Sequence, residues 1–415
     1  MVAKYRRRMD ASLGAGAIPV EHIEALHDLG YLPVCIKALP EGAAVPIKVP
    51  VLVIYNTHPD FFWLTNYLET ILSCYLWKPM TSATVARHYR ILLDRFAEET
   101  GTDKSFVQFQ AHDFSFRGLS GPEDAALSGA AHLTSFVGTD TVPAIDLIED
   151  YYGGDAEKEL LGCSVPATEH SVMCMGTFEV EIDTFRRLIT QLYPKGIVSI
   201  VSDTWDFWKV VTEYAAELKG EILAREGKVV FRPDSGDPVK IICGDVAAPK
   251  GSPAHKGAVE CLWEVFGGTT TDKGFRLLDS HAGLIYGDSI TLDRAERILE
   301  GLKAKGFASG NVVFGVGSFT YQYVTRDTFG FAVKSTYGEV NSVGREIFKD
   351  PVTDNGVKKS ARGRLGVTLI DGVYCLVDRQ DSLDPEGCCL REVFRDGKLL
   401  IDDTIAAIRG RIKNE

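Results

Sequence analysis

The 415-residue sequence lacks any run of about 18 uninterrupted apolar residues, the length a membrane-crossing helix needs. No span is therefore expected. It also lacks a basic surplus: 57 Asp and Glu against 45 Lys and Arg leave a formal net charge of −12. Nucleic-acid binding wants a positive footprint, so no nucleic acid is expected as a partner and any phosphate site must be local. The nine cysteines are odd in number, never spaced C-x-x-C, and several sit in apolar runs such as "KIICG" and "VYCLV". That argues against a zinc site and for buried or free thiols in a reducing, cytoplasmic setting. The start, "MVAKYRRRMDASLGAGAIPV", is basic and then small-apolar. Asp10 and a short, glycine-rich stretch replace the leucine-rich core of a targeting segment, so none is expected. Internal repeats and low-complexity segments are also missing.

What is present is a core and a rhythm. At 45% hydrophobic and 25% charged residues, the chain can bury a large interior. Near the start, "PVCIKALPEGAAVPIKVPVLVIYN" reads as two strands joined at the turn "PEG". "HPDFFWLTNYLETILSCYLW" and "SATVARHYRILLDRFAEETG" read as two helices, the second closed by Gly101. From Phe106 a short apolar strand, a polar or glycine turn and a helix recur, the strands and turns being "GIVSIVSD", "KVVFRPDSGDP", "GLIYGDS" and "NVVFG". Strands alternating with helices imply βαβ units and parallel pairing. The expected fold class is α/β: an irregular α/β barrel over 106–330, with a doubly wound open sheet as the alternative. The loops after barrel strands share one mouth, and Arg117, Asp203, Arg232, Asp234, Asp288 and Gly315 fall there. After Arg326, alternating strands and D-G turns give hairpins, then a last amphipathic helix. Residues 1–105 and 331–415 are thus expected to form a second, smaller mixed α+β domain from both chain ends.

"FRPDSGDP" (Phe231 to Pro238) ends a strand with an arginine and two aspartates on a turn shaped by proline and glycine. A solvated turn does not need arginine there, whereas a guanidinium grips phosphate or carboxylate through two donors. Asp234 can bind ribose hydroxyls or hydrated Mg²⁺; Asp237 receives no assignment. Asp203 in "SIVSDTWDFW" is either a helix N-cap, with Asp206 three residues on, or a ligand carboxylate. Asp288 has the same two readings, and Gly287 permits close backbone approach to a ligand. His170 follows Glu169 in "CSVPATEHSVM". A lone histidine is commonly structural, but an imidazole oriented by a carboxylate can act as base or accept a phosphoryl group. "FGVGSF" joins a strand to a helix and its N–H groups suit phosphate, although barrel packing also uses glycine there. Lys334, Arg345, Lys349, Lys358, Lys359, Arg362 and Arg364 concentrate positive charge in an acidic chain, as a solvated face or as a polyphosphate sub-site.

Eight stretches in order, "DFSFRG", "GTDTV", "SVPATEHS", "VSDTWDFW", "FRPDSGDP", "GDSI", "TRD" and "IFKDPV", resemble the nicotinamide phosphoribosyltransferase family of type II phosphoribosyltransferases. The likeness runs from about "CIKALPEG" to the C-terminus. It implies transfer of a phosphoribosyl group from phosphoribosyl pyrophosphate to nicotinamide, giving nicotinamide mononucleotide and pyrophosphate, by a homodimer with active sites at its interface. It places Phe114, Arg117, Asp140 and Arg232 at nicotinamide, Phe114 stacked on the ring and Asp140 favouring the amide over a carboxylate. Asp234, Gly287 and Asp288 would hold the ribose, and Gly317, Ser318 and Arg326 the 5′-phosphate. Lys334, Lys349 and Lys358 would neutralise pyrophosphate or ATP phosphates. ATP would phosphorylate His170 while Asp203 orients its ring, and Mg²⁺ would bridge the pyrophosphate beside Asp203 and Asp234. Two departures stand out. The family's continuous-glycine phosphate loop reads "FGVGSF" here, and its Asp-x-Tyr-Lys-x-x-His-like N-terminal pattern, source of a second stacking tyrosine, is not found. A chain without that segment is the expectation. Nicotinate phosphoribosyltransferase, of similar fold, is the near alternative, against which Asp140 argues. A catalytically weakened barrel acting as a binding partner is the other.

Overall fold

In the computed structural model, which describes residues 1–349, 360–382 and 386–414, the chain is mixed α/β and divides into two compact units. One is Lys78–Thr325; the other joins Met1–Trp77 to Arg326–Glu415. The divisions expected from the sequence fall at 105/106 and 330/331.

The Lys78–Thr325 unit is built on five parallel strands: Ala111–Asp113, Val198–Val201, Val229–Arg232, Ala282–Tyr286 and Val313–Val316. Their spatial order is first, fifth, fourth, third, second in the chain. Short apolar runs suit this arrangement because a parallel sheet is covered on both faces. All four residues of Val198–Val201 are buried, as are Val229, Phe231 and Arg232. Each fully buried Val, Ile or Phe contributes about 1.5–3 kcal/mol. Isolated parallel bridges Asp113–Thr139, Gly138–Cys163 and Ala167–Ser199 carry the pairing on from the Ala111–Asp113 edge to the Val198–Val201 edge.

Helices cover the strands through apolar faces at helical spacing. Leu292–Ala304 starts at Thr291, whose hydroxyl accepts from the Arg294 N–H, and buries Ala295, Ile298, Leu299 and Leu302. Elsewhere the helices depart from expectation. The two expected before Gly101 are one 37-residue helix, Leu64–Thr100, running through Pro79. The stretch "TWDFWKVVTEYAAELKGEILA", read as one helix, is broken into Phe207–Lys209, a π-turn at Val210–Tyr214, Ala215–Glu217 and Lys219–Leu223. An apolar pattern reports which face is buried, not whether the backbone bonds four or five residues back.

The other unit is antiparallel. Lys398–Leu399, Arg391–Arg395, Val34–Ala38 and Leu52–Asn56 form a four-stranded sheet in that order. Tyr337–Val340 pairs with Val343–Glu346, and Arg364–Ile370 with Val373–Gln380. The D-G turns behave as such pairs should: Asp371 and Gly372 have φ of 50° and 80°, Asp396 and Gly397 of 50° and 81°. Among the described residues no helix is long and apolar enough to cross a membrane. All nine cysteines are free.

Candidate active site at the strand ends

The C-terminal ends of the parallel strands bring most of the predicted polar residues together. Arg232 closes its strand with a side chain only 5% exposed. Its guanidinium carbon lies 4.9 Å from the Phe114 ring centroid, and Nη2 lies 3.7 Å from Asp234 Oδ2. Two glycines on neighbouring strands make this packing possible. A Cβ on Gly287 would fall 2.8 Å from Asp234 Oδ1 and 3.1 Å from Arg232 Nε. One on Gly315 would strike the Phe114 ring and lie 2.8 Å from the Gly287 Cα. At Gly287, therefore, side chains of the protein itself occupy the space that the missing Cβ leaves.

Asp203, at the end of the adjacent strand, binds the Asp234 turn. Its Oδ2 accepts from the Asp234 N–H at 2.8 Å and the Ser235 hydroxyl at 2.6 Å. Its Oδ1 lies 3.3 Å from Nε2 of His170, the first residue of the helix His170–Met175. Asp203 is not the cap of the following helix: Asp206 is, accepting from the Lys209 N–H at 3.1 Å. Asp237 likewise has a structural task, its Oδ1 accepting from the N–H groups of Val239 and Lys240, with Pro238 at the first helical position.

Charge here is dense. Burial raises the Asp234 carboxyl above its ordinary value, and the Asp203 and Asp288 carboxylates add to that against the pull of Arg232 and His170. Burial pushes the Tyr286 hydroxyl up as well, helped by Asp288, Asp203, Asp234 and Asp237; it donates to the Gly236 carbonyl at 2.9 Å. Arg232 Nε, Asp203 Oδ1, Asp234 Oδ1 and Thr204 Oγ1 are buried with no hydrogen-bond partner among the described residues. Each such group costs about 1–3 kcal/mol, so four close together mark where a polar ligand belongs. No group of three or more His, Cys, Asp or Glu side chains among the described residues is arranged as a metal cage. Asp203 Oδ1 and Asp234 Oδ1, carboxylate oxygens without hydrogen-bond partners among the described residues, are the atoms that could hold a hydrated Mg²⁺.

A second cluster adjoins Phe114; it contains the expected Asp140, together with His112 and Ser164, which were missed from the sequence. The segment 138–140 runs beside Ala111–Asp113, the Asp113 N–H donating to Gly138 O and the Asp140 N–H to Asp113 O. This sets His112 against Asp140, Nε2 to Oδ1 at 2.9 Å, and the Ser164 hydroxyl donates to the same oxygen at 2.5 Å. His112 and Phe114 share a face, two residues apart, with ring centroids 4.8 Å apart. Burial would raise the Asp140 carboxyl, but the His112 bond and charge, the Ser164 hydroxyl and Arg232 outweigh it and hold it below the ordinary range. A histidine two positions before Phe114 and facing the same way was the available signal.

The remaining candidates are more scattered. Arg117 is largely exposed, with Nη1 3.9 Å from Glu169 Oε2. Ser318 opens a single helical turn after Gly317, and its hydroxyl packs against Gly118. Arg326, Lys334 and Lys349 belong to the other unit, where Arg326 lies 3.4 Å from Asp327 and the Lys349 N–H donates to Ser360 Oγ. Lys358 lies outside the described residues.

A fold of this class is shared with a solved structure, nicotinate-nucleotide pyrophosphorylase from Pyrococcus furiosus, at a TM-score of 0.55 and 16% identity, over 95% of this chain and 83% of that one. The model of the nicotinate phosphoribosyltransferase (NAPRTase) family matches residues 109–398. Relatives named nicotinamide phosphoribosyltransferase extend the match. The one from Acinetobacter baylyi is 60% identical, over all of this chain and 83% of its own length. Those from Mycoplasma pneumoniae and Xanthomonas campestris pv. campestris are each 38% identical, over 83% and 92% of this chain and 73% and 79% of their own lengths. The chain belongs to the nicotinate phosphoribosyltransferase family.

Proposed function

We propose that this enzyme transfers the phosphoribosyl group of phosphoribosyl pyrophosphate to nicotinamide, yielding nicotinamide mononucleotide and pyrophosphate, the salvage step towards NAD. The observation that carries the choice of base is Asp140, a carboxylate held ionised beside Phe114 and Arg232. An anion there attracts the carboxamide N–H₂ of nicotinamide and repels the carboxylate of nicotinate. Arg232 speaks for nicotinate, since a guanidinium pairs with carboxylates, but its charge already acts on both Asp140 and Asp234. The 60% identical relative bears the nicotinamide name.

In the reaction the C1′–O bond to pyrophosphate breaks as the pyridine nitrogen forms the C1′–N bond. Positive charge develops on the sugar and negative charge on the leaving group. Asp234 and Asp288 suit the first, and fixed charges of this kind supply much of an enzyme's rate. Mg²⁺, with Asp203 and Asp234 as its protein partners, would neutralise the departing pyrophosphate. Phe114 and Arg117 would hold the base, Gly287 with Asp234 and Asp288 the ribose, and Gly317 and Ser318 the 5′-phosphate. For Arg326, Lys334, Lys349 and Lys358 the phosphate roles rest on the resemblance alone.

The His170–Asp203 pair supports ATP coupling: an exposed imidazole backed by a buried carboxylate is built to accept a phosphoryl group. The isolated bridges that link the two sheet edges support an irregular barrel. Val172, Met175 and Phe178, exposed beside His170, support a homodimer through this face. A cytoplasmic location rests on the cysteine pattern. The test is direct: incubate the protein with phosphoribosyl pyrophosphate, Mg²⁺ and ATP plus nicotinamide or nicotinate, and separate the mononucleotides. Preference for nicotinate would overturn the assignment of Asp140, and no product with either base would favour a silent barrel.

A further inference from the structure

We propose that His112 is a positioning residue for base selection: it holds Asp140 by Oδ1 so that Oδ2 is presented to the carboxamide. This rests on the reading of Asp140 as the amide-facing group. Three segments brought side by side by parallel bridges supply the parts. His112 comes from the strand Ala111–Asp113, Asp140 from the segment beside it, and Ser164 from the segment beyond.

Both donors, His112 Nε2 at 2.9 Å and Ser164 Oγ at 2.5 Å, converge on Oδ1; no hydrogen bond among the described residues uses Oδ2. The histidine is itself clamped. Its ring lies 4.8 Å from Phe114, and a Cβ on Gly138 would fall 2.8 Å from its Nδ1, so Gly138 leaves room for the ring and little else. With Nε2 as the donor, the ring has one orientation to offer. The side chains are 12% exposed for His112 and 44% for Asp140, so the imidazole is shielded while the carboxylate faces out. Without the clamp Asp140 could rotate towards Arg232, whose charge already reaches it, and discrimination between amide and carboxylate would fall. The division of labour between two oxygens, one for the protein and one for the ligand, is what a selective acceptor requires.

The test is steady-state kinetics with each base for H112F, H112Q, S164A, D140N and the D140N/H112F double variant. Phenylalanine keeps the ring and removes the donor, whereas the glutamine amide nitrogen can take the place of Nε2. H112F is expected to raise KM for nicotinamide about tenfold with little change in kcat, and to lower the nicotinamide-to-nicotinate ratio of kcat/KM about tenfold. H112Q is expected to recover most of both, and the double variant to match D140N. Unchanged KM and ratio in H112F, or H112Q no better than H112F, would overturn the proposal, the latter reducing His112 to packing. Should H112F not fold, S164A decides: a several-fold loss of the ratio, with H112Q near parental values, supports the clamp, and a parental S164A overturns it. If D140N itself keeps the parental ratio, the reading of Asp140 fails and takes this one with it. If D140N lowers the ratio and H112F does not, only His112 is removed.

Discussion

Two imidazole–carboxylate pairs sit at the strand ends, and they are mirror images in exposure. In His170–Asp203 the carboxylate is 4% exposed and the imidazole 45%. In His112–Asp140 the imidazole is 12% exposed and the carboxylate 44%. In the roles proposed above, the buried member is the support and the exposed member the working group, a nucleophile at His170 and an anionic acceptor at Asp140. Each carboxylate takes two donors on one oxygen, Asp203 from the Asp234 N–H and the Ser235 hydroxyl and Asp140 from His112 and the Ser164 hydroxyl; the difference lies in burial, deep for Asp203 and slight for Asp140.

Arg232 pairs with Asp234, whose N–H binds Asp203, and its charge reaches Asp140, so removing it should have the largest effect. R232A leaves Asp234 buried without its cation and strips Phe114 of its guanidinium partner. A loss of about a thousandfold in kcat/KM for nicotinamide is expected, with destabilisation of about 3–5 kcal/mol from the unpaired buried charge. Kinetics together with a denaturant midpoint check it; retention of a tenth of the activity would show that the guanidinium is peripheral. Breaking only the first pair, H170A should remove ATP hydrolysis by at least about a hundredfold, along with ATP stimulation, while some basal transfer survives. A phosphate-release assay reads this directly, and hydrolysis at the parental rate would take His170 out of the mechanism. Breaking only the second, D140N should shift the nicotinamide-to-nicotinate ratio by about ten- to a hundredfold towards nicotinate, measured by competition between the two bases.

Glu181 sharpens the comparison from outside, as a buried carboxylate with no imidazole. Its Oε1 has no hydrogen-bond partner among the described residues, and burial pushes its carboxyl up to about 7, with Asp206 adding to and Lys209 opposing the shift. A carboxyl raised in the fold contributes stability in full below its unfolded value and loses it as pH climbs through about 7. E181Q should thus leave Tm nearly unchanged at pH 5 and raise it by about 2–5 °C at pH 8. An equal shift at both pH values would show that ionisation plays no part.

The sequence displayed the charged strand ends of this site better than the pairing that supports its edge. Arg232, Asp234 and Asp203 were legible because charge at the end of an apolar strand conflicts with burial unless a ligand or partner is near. The antiparallel hairpins were legible because Asp371–Gly372 and Asp396–Gly397 take backbone angles that few other pairs adopt. His112 was hidden because a histidine inside a strand reads as core, and its partner lies 28 positions on, joined by strand pairing rather than by local spacing. Asp237 carries a local signal that its more charged neighbours obscure: an aspartate directly before a proline that opens a helix is a cap. The two helical stretches before Gly101 erred in the opposite direction, since the backbone runs on between them through Pro79.

Gly287 and Gly315 set the clearance of the whole assembly. Between them, two hydrogen atoms stand where methyl groups would press on Asp234, Arg232 and Phe114 together. Random variation at either position cannot adjust one contact without disturbing the others, so these positions offer evolution no small steps. Beside Asp140 the corresponding glycine, Gly138, makes room for the His112 ring alone. If Asp140 selects the base as proposed, exchange of one pyridine for another needs changes only around it, while the floor set by Gly287 and Gly315 stays the same.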